Sequence, residues 1–326
     1  MKVSICIAAY NVAGFIEDCL NSIIEQTHQN FEVIIVNDGS TDDTESIIKN
    51  KINSDERFLL INTENEGVAN ARNIALKNST GEYIIILDSD DYLDKECLQV
   101  AIDNISDSDI LIFNYKKDDG FKITENKEFP QRCFDPSYGN VEGLAIEAIE
   151  IEPNPWGKLY KKNVFDNIEY PRGLYYEDYA VFYNILSGRK IKIIQDCLYF
   201  YRIRKGSIMR SFSRKHIDDK VKIMNKLKSD VCEDELSYHT HSKSYIDSYN
   251  FHLVFVTANI IFNSRDSIRD GVLYLNGFID RNIFNYKNII SSNVLSKQVK
   301  FFLIAYLVSP RFSYLLKMFR KTLSRS

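Results

Sequence analysis

The residues best suited to chemistry are three aspartates, Asp88, Asp90 and Asp91, in the stretch "EYIIILDSDDYLD" (82–94). They follow Ile84, Ile85, Ile86 and Leu87, which read as a strand buried on both faces, so the carboxylates fall where that strand leaves the core. A buried carboxylate is costly unless something pairs with it. Two of them, two positions apart at a strand end, can share Mg2+ or Mn2+, whose remaining positions go to waters and substrate phosphates. The plainer use is a solvated acidic turn that caps a helix beginning near Leu93. A lone D-x-D is common by chance, so its company matters.

"VNDGSTDDT" (36–44) reads as a strand, a tight turn and a helix start, in which Ser40, Thr41 and Asp42 are all good caps. Capping does not require Asp38, one residue past a buried strand. A carboxylate there can accept a hydrogen bond from a nucleobase N–H or a ribose hydroxyl. "NEGVANARNIAL" (65–76) begins a helix at Gly67, and its free N–H groups, with Arg72 one turn in, suit an anion such as a diphosphate. A surface ion pair is the alternative for that arginine. Glu177 and Asp178 open a further helix, Tyr176–Leu186, where the dipole favours acids in any case. Neighbours on a helix point about 100° apart, so only one of the two can face a site. Trp156, taken alone, reads as a core aromatic. The chain has no G-x-G-x-x-G after its first strand, no P-loop and no nucleophile elbow. His239 and His241 have no metal-ligand company and read as surface residues.

The elements that must position these groups alternate along the first hundred-odd residues. Val3–Ala9, Phe31–Asn37, Phe58–Asn62, Tyr83–Leu87 and Asp109–Tyr115 read as strands. Ile16, Leu20 and Ile23 recur at helical spacing, and "DDTESIIKNKI" and "GVANARNIALKN" look similar. The alternation predicts an α/β fold with a mostly parallel sheet and helices on both faces. Ligands in such sheets bind at the carboxyl ends of the strands. Tyr10 and Asn11, Asp38, and Asp88 to Asp91 all follow strand ends, so the same edge is chosen three times. From about residue 120 to 206 the pattern loosens, and from His216 onward it reads as all-helical. The expected division is 1–215 and 216–326.

Taken in order, "AAYN", "VNDGSTD", "ENEGVANARN", "LDSDDYL", "WGKLYKK", "YYEDYAVF" and "YRIRKGSI" resemble the bacterial family 2 glycosyltransferases over about residues 1 to 210. Ala8 stands where many relatives have proline, which bears on loop stiffness more than on chemistry. The resemblance implies a GT-A fold and inverting transfer of a hexosyl or N-acetylhexosaminyl group from a nucleotide-sugar donor, expected to be a UDP-sugar. The acceptor would be a glycan or lipid-linked glycan of a bacterial surface polysaccharide: capsule, exopolysaccharide or O-antigen. Tyr10, Asn11 and Asp38 would hold the nucleotide, with Asn65 nearby and Arg72 on it. Asp88 would touch the ribose or the metal, Asp90 would bind Mn2+ or Mg2+, and Asp91 would only cap a helix. Asp178 would be the catalytic base. Trp156 would line the acceptor side, and Glu177, Arg202, Arg204 and Ser207 would serve the diphosphate and acceptor. The competing readings are a metal-dependent nucleotidyltransferase, which usually carries a glycine-rich basic loop after the first strand, and a non-catalytic nucleotide-sugar-binding relative. "AAYNVAGFIED" lacks that loop.

Composition bounds the setting. Aromatic residues make up 13% of the 326, which suits either sugar-stacking platforms or a well-filled core, the core being favoured. Cys6, Cys19, Cys97, Cys133, Cys197 and Cys232 include no C-x-x-C pair and read as free thiols of a reducing compartment. No signal-peptide pattern and no run of roughly 18 apolar residues occurs, so a cytoplasmic location is expected. The net charge is −4, but 291–326 holds seven Lys and Arg and no acid, which leaves −11 on the rest. An apolar run (Phe301–Val308), Pro310 and a basic amphipathic stretch suit the interface of an anionic membrane, peripheral on its inner face; a helix packed on the catalytic part or a dimer contact would look the same. No nucleic-acid partner is expected.

Overall fold

In the computed structural model, which describes residues 1–53, 55–126, 153–204, 213–231, 243, 245–264 and 268–323, the alternating runs become alternating elements. The first are β1 (Val3–Ala9), α1 (Ile16–Ile24), β2 (Phe31–Asp38), α2 (Thr44–Ile52), β3 (Phe58–Thr63), α3 (Val68–Asn78) and β4 (Tyr83–Asp88). They are followed by β5 (Tyr92–Leu93), α4 (Cys97–Ile105), β6 (Ile110–Asp118), β7 (Ile123–Glu125), β8 (Lys158–Lys161), α5 (Glu177–Leu186) and β9 (Ile191–Arg202). The described residues fall in two compact units, the first holding 1–126 and 153–204.

The strands form one sheet in the order β3-β2-β1-β4-β8-β6-β9-β5, with β7 paired to β6. The expected parallel run is there from β3 to β4. Beyond β4 the sheet is mixed: β8 lies antiparallel between β4 and β6, and β5 is antiparallel to β9, while β6 and β9 are parallel. Parallel register sets Ala8 beside Asp88 and Asp38 beside Thr63, so Tyr10, Asp38 and Asp88 leave the sheet at one edge.

That edge is held by a core on both sheet faces. Ile5, Ile7, Val33, Ile35, Ile85 and Leu87 pack with Ile16, Leu20 and Ile23 of α1 and Leu98, Ala101 and Ile105 of α4. The opposite face buries Cys6, Ile34, Ile84 and Ile86, where α3 lies across β1 and β2. Two-sided burial explains why these strands are continuously apolar rather than alternating. Register shifts around Asn114 insert extra residues into β9 and leave Gln195 and Asp196 exposed. Such a bulge re-aims the residues beyond it, here Tyr199, Tyr201 and Arg202.

The second unit, within 213–323, is helical: α6 (Arg214–Val231), a π-helical stretch (Tyr249–Val256) continuing into α7 (Thr257–Asn263), α8 (Ile268–Phe278), α9 (Tyr286–Ser291), α10 (Lys297–Val308) and α11 (Pro310–Leu323). Its core is aromatic, with Phe262, Phe302, Tyr306 and Tyr314 in ring contact. Much of the aromatic surplus is therefore core. No helix among the described residues is long and apolar enough to cross a membrane. Cys6, Cys19 and Cys97 are buried free thiols and Cys197 a half-buried one. Cys133, Cys232, His239, His241 and Ser207 lie outside the described residues.

Candidate active site

The loops at the carboxyl edge are tied to one another before they can hold anything else. The Asn11 carboxamide oxygen accepts from the Thr41 N–H at 2.8 Å, and the Asn11 N–H donates to Ser40 Oγ at 3.1 Å. Val12 N donates to Thr44 Oγ1 at 2.8 Å and Ala13 N to Asp42 Oδ2 at 3.1 Å. The polar run after β2 is thus a stitch between two loops more than a simple helix cap. Asn11 itself sits at φ +50, in the left-handed region, and so helps to shape the loop. Tyr10 beside it is 45% exposed.

Asp38 is buried and spends both oxygens on the loop before α3: Glu66 N donates at 2.9 Å and Gly67 N at 2.8 Å. Thr63 Oγ1 donates to it as well, at 3.5 Å, so a base N–H would be a fourth bond and the carboxylate's first task is to order the turn. Next to it Gly39 has φ +69, and a Cβ there would stand 2.8 Å from Asn65 N. Only glycine lets the two loops approach this closely. Asn65 lies on that loop with its side chain exposed.

Arg72 is not on the surface and does not point at solvent for an incoming anion. Its side chain is 7% exposed; Nη2 donates to Asp88 Oδ1 at 3.0 Å and Nη1 to Glu177 Oε1 at 2.6 Å. The ring of Tyr170 lies 5.7 Å beneath the guanidinium. Asp88 and Glu177 hold Arg72 firmly protonated despite its burial. Nε, also buried, has no hydrogen-bond partner among the described residues. One guanidinium therefore joins the end of β4 to the start of α5. It commits Glu177 to the bridge, and Asp178 is the neighbouring acid. Burial and the Glu177 charge push the Asp178 carboxyl well up from the usual carboxylate range toward neutrality. Its Oδ1 accepts from Tyr179 N at 2.7 Å.

The remaining aspartates divide differently from the sequence expectation. Asp90 pairs with Arg204, Nε to Oδ2 at 2.6 Å, and burial together with the Asp88 charge raises its pKa. Asp91 is 1% exposed and is not a helix cap. It accepts from Tyr199 Oη at 2.6 Å and from the Arg202 N–H at 2.7 Å, clamping the end of β9 to the turn after β4. Burial, then Asp88 and Asp90, push its carboxyl up to about 8. Asp94 shapes the turn just before α4, its carboxylate accepting from Glu96 N and its carbonyl from Cys97 N, while the Leu98 N–H in the first turn of that helix donates to Gln26 Oε1. Sequence position alone could not separate these two, because the partners of Asp91 come from a strand over a hundred residues away.

Arg202 and Arg204 do converge on this edge. Arg202 pairs with Asp18 at 3.1 Å, and both guanidiniums lie over the Phe15 ring, at 5.4 and 5.7 Å. Sequence reasoning missed Asp18, Phe15 and Tyr199, because no local signal marks them. Trp156 is 8% exposed, stacked on Tyr199 and Tyr201 with ring centroids 4.6 and 5.3 Å away, and edge-on to Tyr115. It is a core aromatic that backs the site; little of its ring is left to meet an acceptor sugar.

Among the described residues no group of three or more His, Cys, Asp and Glu is arranged to hold a metal ion alone. Asp88 and Asp90, 29% and 18% exposed, offer two carboxylates, the usual protein share for Mg2+ or Mn2+ when phosphates and waters supply the rest. The raised pKa of Asp90 fits such a site, since a dication would relieve the repulsion from Asp88.

The family model "Glycosyl transferase family 2" matches residues 4–169. Glycosyltransferase GlyG of Streptococcus pneumoniae serotype 4 is 33% identical over 251 residues, which is 70% of this chain and 80% of that protein. Glycosyltransferase GlyA of the same organism is 34% identical over 227 residues, but this match spans only 32% of GlyA and 66% of this chain. The crystal structure of S. aureus TarS 1-349 in complex with UDP-GlcNAc shares the fold, with a TM-score of 0.72 at 22% identity over 99% of this chain and 92% of that one.

Proposed function

This chain belongs to glycosyl transferase family 2, and from that premise we propose that it is an inverting, metal-dependent glycosyltransferase acting on a UDP-sugar. The acceptor we propose is a glycan or lipid-linked glycan of a bacterial surface polysaccharide. The observation that carries the reading is the Arg72 bridge. It ties a carboxylate pair suited to a metal-bound diphosphate, Asp88 and Asp90, to a helix start bearing a carboxylate of raised pKa, Asp178. The UDP-GlcNAc held by TarS supports the choice of a UDP-sugar.

In this reading the acceptor hydroxyl attacks the anomeric carbon from the face opposite the diphosphate. The new C–O bond forms as the bond to the diphosphate oxygen breaks, and that oxygen keeps the electron pair. Asp178 takes the hydroxyl proton; a positioned base of pKa near the working pH contributes ~10²–10⁴-fold. Glu177 cannot do this while it pairs with Arg72. Asp88 and Asp90 would hold the divalent cation, which when bound would neutralise charge on the leaving diphosphate. Arg204, now against Asp90, and Arg202 keep positive charge at the same edge. Tyr10 would stack on the base, while Asn11, Asp38 and Gly39 hold the loops that receive it.

The test is a donor-hydrolysis screen over several nucleotide sugars with and without Mn2+, run on the full chain. We expect metal-dependent turnover of a UDP-sugar, and loss of metal-dependent UDP binding in Asp90→Asn. Turnover that ignores metal, or UDP binding by Asp90→Asn equal to the parent, contradicts the proposal.

A further inference from the structure

Apolar residues exposed in the first unit, such as Tyr10, Leu59 and Ile203, are scattered. In the second unit they line up. On α10, Lys297, Phe301, Ile304 and Val308 share one face by helical spacing, with Phe301 53% and Val308 76% exposed. On α11, Phe312, Leu315 and Met318 follow at three-residue steps, 48%, 63% and 46% exposed, with exposed Arg311 at the same side. The opposite sides of both helices are already used: Val299, Leu303 and Tyr306 are buried on α10, as is Ser313 on α11. Single exposed apolar side chains are ordinary, but consecutive stripes of this size mark a contact surface.

Charge selects the partner. Every ionisable side chain in 291–326 that carries charge at neutral pH is Lys or Arg, seven in all, against a chain that is otherwise acidic. A protein partner would have to be both apolar and acidic, and a second copy of this segment would bring like charge against like. A bilayer with anionic headgroups offers the apolar interior and the negative surface together. We propose that the outward faces of α10 and α11 seat the protein in the interface of an anionic membrane, lying in its plane. This holds whatever sugar the first unit transfers.

The experiment measures partition of the full chain onto vesicles of phosphatidylcholine with and without phosphatidylglycerol. The parent is expected to sediment with the anionic vesicles only and to be released by salt. The double variant Phe312→Asp, Leu315→Asp should lose more than about tenfold in partition, since each side chain forfeits a sizeable apolar transfer. Leu59→Asp, a comparable change on the edge of the sheet, should bind like the parent. Circular dichroism and UDP binding of the double variant should match the parent, which separates lost docking from lost folding. No binding to anionic vesicles, or equal binding by parent and double variant, overturns the proposal. So does a dimer of the parent in solution that the same double change dissolves, because the stripes would then be an interface between copies.

Discussion

Replacing Arg72 with methionine separates the two roles this arginine could have. Placed on the nucleotide, as its position in the sequence suggests, its loss would weaken UDP binding and leave the fold intact. Placed as the structure has it, its loss strands two carboxylates, Asp88 and Glu177, that it now holds at 3.0 and 2.6 Å. Removing one partner of a buried pair costs about 3–5 kcal/mol, and because Asp88 retains 29% exposure we expect the low end, about 3 kcal/mol. Arg72→Lys restores charge but not the two-pronged geometry, so it should recover only part of the loss. The assay is urea unfolding of the full chain, followed by fluorescence of Trp156, which lies in the same unit. Glu177→Gln in the Arg72→Met background should return about 1–3 kcal/mol, because one of the stranded charges is gone. A fall in stability under about 1 kcal/mol for Arg72→Met, or no relief from Glu177→Gln, refutes the bridge as a stabilising element.

Asp94→Ala, which loses one turn hydrogen bond, should cost about 1 kcal/mol and leave UDP binding unchanged, whereas Asp91→Ala should cost more and weaken UDP binding by displacing Arg202. Urea midpoints and calorimetric titration with UDP check both. Asp178 must be ionised to act, and its pKa is raised, so kcat/KM should fall as pH drops through the region just below neutrality; a limb near the ordinary carboxylate value of about 4 would contradict the assignment. Glu32 is held at about 2 instead of 4.5, despite the cost of its burial, by bonds from Lys2, Ser4 and Thr80. A depressed pKa means stability that is present above the unfolded value and lost as pH falls from about 4.5 toward 2. Thermal melts of Glu32→Gln should be flatter across that window than those of the parent.

How far the sequence could be read depends on how local each feature is. β1, β2 and β4 announce themselves because burial on both faces leaves unbroken apolar runs, and the acids at their ends then mark the ligand edge. Asp88, Asp90 and Asp38 were legible as edge residues for that reason. Their partners were not. Arg72 meets Glu177 at a separation of 105 residues and Asp91 meets Tyr199 at 108, distances over which neither periodicity nor spacing carries information. The mixed half of the sheet was hidden for a related cause: β8 is four residues long and β9 carries a bulge, so neither shows a clean period. Trp156 draws attention as the lone tryptophan, yet only its ring contacts reveal a core role.

As proposed, Asp178 is the base of an inverting sugar transfer whose donor is held by other residues. The direct measurement compares the parent with Asp178→Asn, following UDP-sugar binding by calorimetry and the anomeric configuration and rate of product by NMR. Donor binding within error of the parent, a product of inverted configuration from the parent, and transfer reduced ~10²–10⁴-fold in the variant are expected. Full transfer by Asp178→Asn, or a product that retains the donor configuration, contradicts that proposal.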